Sequence, residues 1–146
     1  MIYDNIEILF VEDSADDAML TMPALKKSGF NNKLLHLADG AEALDFIYSR
    51  GIYQSRNRKD HPKLILLDLK MPKVSGLQVL EKIKSDPELK SIPVVMLTSS
   101  NEGPDIERCY ELGANSYIVK PVDSDKFFHA IKEIGMYWMV LSQPGN

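Results

Sequence analysis

Five short apolar runs alternate along the chain with stretches that are apolar only at every third or fourth residue. The runs cover residues 6–11, broken once by Glu7, then 33–37, 64–67, 93–97 and 116–119. Runs of this length without polar alternation predict strands buried on both faces, as in parallel sheets. The stretches between them predict helices. Ser14 is placed to cap the first, with Asp16 and Asp17 in its opening turn facing the positive end of the helix dipole. Met19, Met22 and Leu25 support this helix, Pro23 predicts a kink in it, and Gly29 after Ser28 predicts its end. Asp39 and Glu42 have capping-box spacing ahead of a second helix with a Leu44, Ile47 and Tyr48 stripe. Ser75 and Gln78 repeat that spacing before a third, which turns Leu77, Leu80 and Ile83 inward and closes at Asp86-Pro87. Gly103-Pro104 opens a short fourth helix that Gly113 ends. Asp123 caps a fifth, predicted to run through Phe127, Ile131, Ile134 and Trp138. Only residues 51–62 break the rhythm. They carry Arg56, Arg58 and Lys59 against Asp60, and exceed the roughly 2–6 residues usual for connections in α/β units.

Strands and helices in strict alternation require a parallel sheet with helices on both faces. The 146 residues, 45% hydrophobic and 26% charged, suit one domain over 1–146, with a core from about 5 to 135 and a C-terminal extension over about 136–146. A net charge of −4 disfavours general nucleic-acid binding, which draws on a basic face. Cys109 stands alone, so no internal disulfide is available and a reducing cytoplasm is expected. Residues 1–5 lack the positive region of a signal peptide, and no apolar run approaches the roughly 18 residues that span a bilayer. A soluble cytoplasmic protein is expected.

The run 64–67 ends in Asp68, at the carboxyl end of a central strand, where open α/β sheets place their ligand sites. By itself Asp68 fits equally a carboxylate that caps the following loop. The other strand ends change the balance: the first delivers Glu12-Asp13, the fourth Thr98, the fifth Lys120. Right-handed crossovers bring these ends to one edge of the sheet. Three carboxylates gathered there repel one another unless a cation bridges them, and an all-oxygen ligand set suits Mg²⁺. Lys120 and the Thr98 hydroxyl supply donors for a transferred phosphoryl group, and Asp68 is the natural nucleophile. The residues read as metal-assisted phosphoryl transfer onto an aspartate.

At these positions the chain resembles the response-regulator receiver domain of two-component signalling. Glu12-Asp13-Ser14, Leu67-Asp68-Leu69-Lys70-Met71-Pro72, Gly76, Thr98 and Lys120-Pro121 carry the resemblance, which covers nearly the whole chain. It implies a flavodoxin-like, doubly wound sheet of five parallel strands in the order 2-1-3-4-5, with five helices, the fold for which a receiver protein is a standard example. It further implies that Asp68 accepts a phosphoryl group from a phosphohistidine on a sensor histidine kinase. Asp13, Asp68 and the Lys70 backbone carbonyl would hold Mg²⁺, with Glu12 acting through a water. Thr98 would turn to the phosphoryl group, Tyr117 would change rotamer with it, Lys120 would pair with it, and Lys120-Pro121 would be cis. With its long basic loop, the chain is similar to the small single-domain regulators that partner bacterial and cyanobacterial phytochromes. Lys70 and Ser100, each two residues beyond a signature position, depart from the commonest receiver pattern.

Output is expected through a downstream protein or phosphotransfer domain, with no DNA-binding segment and no catalysis beyond the domain's own phosphorylation and dephosphorylation. An aspartate-based phosphatase of the dehalogenase type is the rival enzyme reading, but it wants a second aspartate where Lys70 stands. A flavodoxin-like flavin binder is a third, and Glu12-Asp13-Ser14-Ala15-Asp16-Asp17 would repel its phosphate. His36, His61 and His129 read as solvated or core side chains, Cys109 as a buried helix residue, and the basic loop as solvated. The run from Met136 to Leu141 is apolar all round, which predicts a homodimer through the C-terminal helix region.

Overall fold

The structure is a computed structural model, and it describes residues 3–27 and 32–135. Five strands, β1 (Ile8–Val11), β2 (Leu34–Leu37), β3 (Leu64–Leu67), β4 (Val94–Thr98) and β5 (Ser116–Val119), form one parallel sheet in the order β2-β1-β3-β4-β5. Five helices alternate with them: α1 (Ala15–Lys27), α2 (Gly40–Ile47), α3 (Gly76–Ser85), α4 (Gly103–Glu111) and α5 (Ser124–Glu133). The expected flavodoxin-like topology is present. Among the described residues no helix is long and apolar enough to cross a membrane.

Alternate strand residues feed two separate cores, which is why the runs lack polar positions. Leu9, Val11, Ile65, Leu67, Val94 and Met96 face α2, α3 and Cys109 of α4. Ile8, Phe10, Leu64, Leu66, Val95 and Leu97 face α1 and α5. Glu12, Asp68, Thr98 and Lys120 stand at the carboxyl ends of β1, β3, β4 and β5, so these polar residues lie at one edge of the sheet.

The caps hold where the spacing predicted them. Ser14 Oγ accepts from the Asp17 amide at 3.2 Å, Asp39 from Glu42 at 2.7 Å and Asp123 from Lys126 at 2.8 Å. Ser75 and Gln78 form a complete capping box. Glu42 instead accepts from the Tyr53 hydroxyl, so the second box is only half made. Two apolar stripes are shifted from expectation. α1 buries Ala18, Thr21 and Leu25 while Met19 is 73% exposed, and α2 buries Ala43, Phe46 and Ile47, with Leu44 and Tyr48 half-buried. In each helix the inward face mixes an alanine (Ala18 or Ala43) with larger residues (Leu25, or Phe46 and Ile47). The helix α1 continues through Pro23. The carbonyl this proline leaves unpaired belongs to Met19, on the exposed face, where water can reach it.

The basic loop is solvated at Arg58 and Lys59, as expected, but not at Arg56. Residues Gly51–Tyr53 form a turn of 3₁₀ helix, and Arg56 is only 7% exposed. Its guanidinium lies over the Phe46 ring at 3.8 Å and donates to the Phe46 and Asp60 carbonyls and the Ser49 hydroxyl. Charge alone made this arginine look like surface. The helix α5 ends at Glu133, short of the expected Ile134, and Gly135 has a φ of 81°. Trp138 and the predicted dimer segment fall outside the described residues, as does the Gly29 cap.

Candidate functional site

Backbone pairing sets the height of the acidic groups. The Asp68 amide donates to the Val11 carbonyl at 3.0 Å and the Glu12 amide to Leu37 at 3.0 Å, so β1 and β3 deliver their carboxylates side by side. Glu12 is 1% exposed and Asp68 7%, while Asp13 is open to solvent. One carboxylate oxygen from each of Glu12, Asp13 and Asp68 lies within 4.8 Å of the others. His36 Nε2 steadies the turn by donating to the Glu12 carbonyl at 2.9 Å.

Three carboxylates this close, two of them buried, cannot all keep their charge easily. Burial, then the neighbouring Glu12, pushes the Asp68 carboxyl up from 3.8 to about 7, against the opposing pull of Lys120. The donor set is all oxygen, which fits Mg²⁺ or a similar hard divalent cation that would relieve this repulsion.

From β5 comes the counter-charge. The Lys120 amide pairs with the Thr98 carbonyl at 2.8 Å, and Lys120-Pro121 is cis, as expected. The Lys120 ammonium is hydrogen-bonded to Glu12 Oε1 and, at 2.8 Å, to Asp17 Oδ2, and lies 3.8 Å from Asp68 Oδ1. Burial works against its charge, but these carboxylates raise its pKa overall. Asp17 went unread in the sequence. It looked like a dipole-facing helix residue, and nothing local signals a partner 103 positions away.

Thr98, 1% exposed, ends the strand beside β3, and its hydroxyl oxygen accepts from the Ser100 amide at 3.3 Å. Tyr117 is turned inward against the core, with its hydroxyl donating to the Ser100 carbonyl at 2.8 Å. The Ser100 hydroxyl in turn donates to Asp105 in the first turn of α4. Ser100 thus joins the two residues expected to switch, a role its sequence position did not show. The Lys70 side chain is exposed. Gly76 lies against the Asp68 backbone, where a side chain would collide with the carbonyl oxygen.

Known proteins resemble this chain in sequence and fold. Residues 8–132 match the response regulator receiver domain family. Response regulator Rcp1 of Synechocystis sp. is 41% identical over 132 residues, covering 90% of this chain and 88% of its own. Its Mn²⁺-bound crystal structure superposes with a TM-score of 0.73 at 40% identity, covering 90% of this chain and 93% of that one. The bacteriophytochrome response regulator RtBRR has a TM-score of 0.85 at 48% identity, covering 94% and 82%. The phosphorylated cyanobacterial phytochrome response regulator RcpA has a TM-score of 0.75 at 37% identity, covering 97% and 99%. With a family match over most of its length and relatives this similar, the chain belongs to the response regulator receiver domains of two-component signalling.

Proposed function

We propose that Asp68 is the phosphoacceptor and that the donor is a phosphohistidine on a sensor histidine kinase of the phytochrome type. The observation that carries this is the placement of one buried carboxylate between an acidic cluster and a lysine ammonium 3.8 Å away. An Asp68 carboxylate oxygen attacks phosphorus, the phosphorus–nitrogen bond breaks, and the electron pair leaves on the imidazole, which takes up a proton. Glu12, Asp13, Asp68 and the Lys70 backbone carbonyl are the groups that would hold Mg²⁺. The cation would neutralise the carboxylates and the charge on the phosphoryl oxygens. Lys120 and the Thr98 hydroxyl take further oxygens of the group, each from its own strand end.

Turning Thr98 toward a phosphoryl group breaks its contact with the Ser100 amide, and Ser100 is also what Tyr117 and Asp105 hold. Phosphorylation therefore biases the β4–α4 connection and Tyr117 together, the surface from which a downstream protein or phosphotransfer domain reads the state. The phytochrome assignment is supported by likeness to RtBRR, Rcp1 and RcpA. A reducing cytoplasm is consistent with the single cysteine. A homodimer through the C-terminal helix region rests on the apolar run from Met136 to Leu141, and sedimentation of the chain truncated after Ile134 checks it, a monomer being expected.

Incubation with acetyl phosphate and Mg²⁺, followed by intact mass measurement, tests the acceptor. The mass of one phosphoryl group should appear in the wild type and be absent from Asp68→Asn. Label that persists in the variant overturns the assignment.

A further inference from the structure

Lys120 is not free to meet whatever Asp68 carries. An ammonium has three donors, and two of these are occupied by Glu12 and Asp17, with Asp68 Oδ1 at 3.8 Å, beyond hydrogen-bond length. Glu12 belongs to the acidic cluster beside Asp68. Asp17 does not; it reaches in from the first turn of α1. Within the Asp17–Lys120 pair, the Asp17 side chain is 40% exposed and that of Lys120 only 11%. With Leu20, Thr21 and Pro121 they line a cavity of about 260 Å³.

The geometry points to Asp17 as a positioning residue that competes with a phosphorylated Asp68 for the Lys120 ammonium and so sets how tightly the site holds a phosphoryl group. This rests on Asp68 being the acceptor. Two effects of Asp17 share one sign. Its hydrogen bond holds the ammonium toward α1, away from Asp68, and its negative charge offsets the positive field that an anion on Asp68 would feel. Asp17 acts through Lys120 and touches neither the acceptor nor the acidic cluster. Were Glu12 drawn to a cation, Asp17 would be the carboxylate still holding the lysine. A pair with one partner this exposed contributes little to folding, so removing it leaves the fold in place.

Asp16 provides the control. It sits in the same first turn, exposed, and facing the same helix dipole, so Asp16→Asn removes the same charge from the same helix end. The measurement is calorimetric titration of the full chain, saturated with Mg²⁺, with beryllofluoride, which mimics a phosphoryl group on a carboxylate. Asp17→Asn should bind roughly three- to tenfold more tightly than the wild type, the scale of one screened charge interaction at this range. Its acetyl-phosphate-derived phosphoryl group should persist correspondingly longer. Asp17→Glu, which keeps the charge, and Asp16→Asn should both stay close to wild type. Equal or weaker binding by Asp17→Asn, or the same gain from Asp16→Asn, overturns the inference. Failure of the wild type itself to bind beryllofluoride removes the acceptor assignment first, and this inference with it.

Discussion

Gly76, the first residue of α3, packs so closely on Asp68 that a β-carbon built on it would overlap the Asp68 carbonyl oxygen and crowd the Leu69 Cα. The helix that follows β3 is therefore seated directly on the Asp68 backbone. Gly76→Ala has no flexible side chain to displace and must move the connection after β3. A loss of about 1–3 kcal/mol in urea unfolding is expected, as for overpacked cores, together with slower phosphorylation by acetyl phosphate. Gly103, where a β-carbon would meet open space, is the control. Equal stability of the two alanine variants would show that the contact relaxes at no expense.

Asp68 also predicts a pH dependence. Burial, followed by Glu12, raises its folded pKa from 3.8 to about 7. Between those values the folded chain binds this proton more tightly than the unfolded chain, so stability falls as pH rises through that window. In chelator-treated buffer, the difference in melting temperature between wild type and Asp68→Asn should widen from pH 4 to 8, with the variant the more stable at pH 8. Parallel profiles would place Asp68 in water rather than among carboxylates. Added Mg²⁺ should raise the wild-type melting temperature most at the alkaline end, where its ligands are fully ionised.

Arg56 predicts a stability effect remote from the chemistry. Replacing it with alanine removes donors to the Phe46 and Asp60 carbonyls and the Ser49 hydroxyl, and uncovers the Phe46 ring. A destabilisation of about 2–3 kcal/mol is expected from lost charged hydrogen bonds, with the acetyl phosphate reaction rate unchanged. A change within about 0.5 kcal/mol, ordinary for surface positions, would return this loop to the solvent.

Cys109 faces the core from α4, and burial, with a smaller contribution from Asp105, pushes its thiol up to about 11. At pH 8 only about one thousandth is thiolate, the reactive form. Iodoacetamide should leave the native chain unmodified and alkylate it fully in denaturant, as read by mass. Rapid native labelling would mean that α4 opens readily.

Element order, caps and strand ends were legible in the sequence because each depends on residues close in the chain. Apolar runs report burial on both faces, and a serine three residues before a glutamine reports a helix start. Which helical residues face inward was less legible: Ala18 and Ala43 lie in the core, while Met19, more apolar, points out. Arg56 misled too, since a guanidinium finds backbone carbonyls only once α2 and the loop are folded together.

The sequence by itself determined the alternation of β and α elements, the sheet's two buried faces, and the convergence of Glu12, Asp13, Asp68, Thr98 and Lys120 on one edge. These follow from local periodicity and from the handedness of crossovers. Only the tertiary structure decided how that edge is wired. The Lys120 ammonium lies between Glu12 and Asp17 rather than on Asp68, and Tyr117 is held inward by the Ser100 carbonyl. Such pairings join residues up to 108 positions apart. Donor–acceptor geometry over a few ångströms selects them, and no pattern along the chain encodes that geometry.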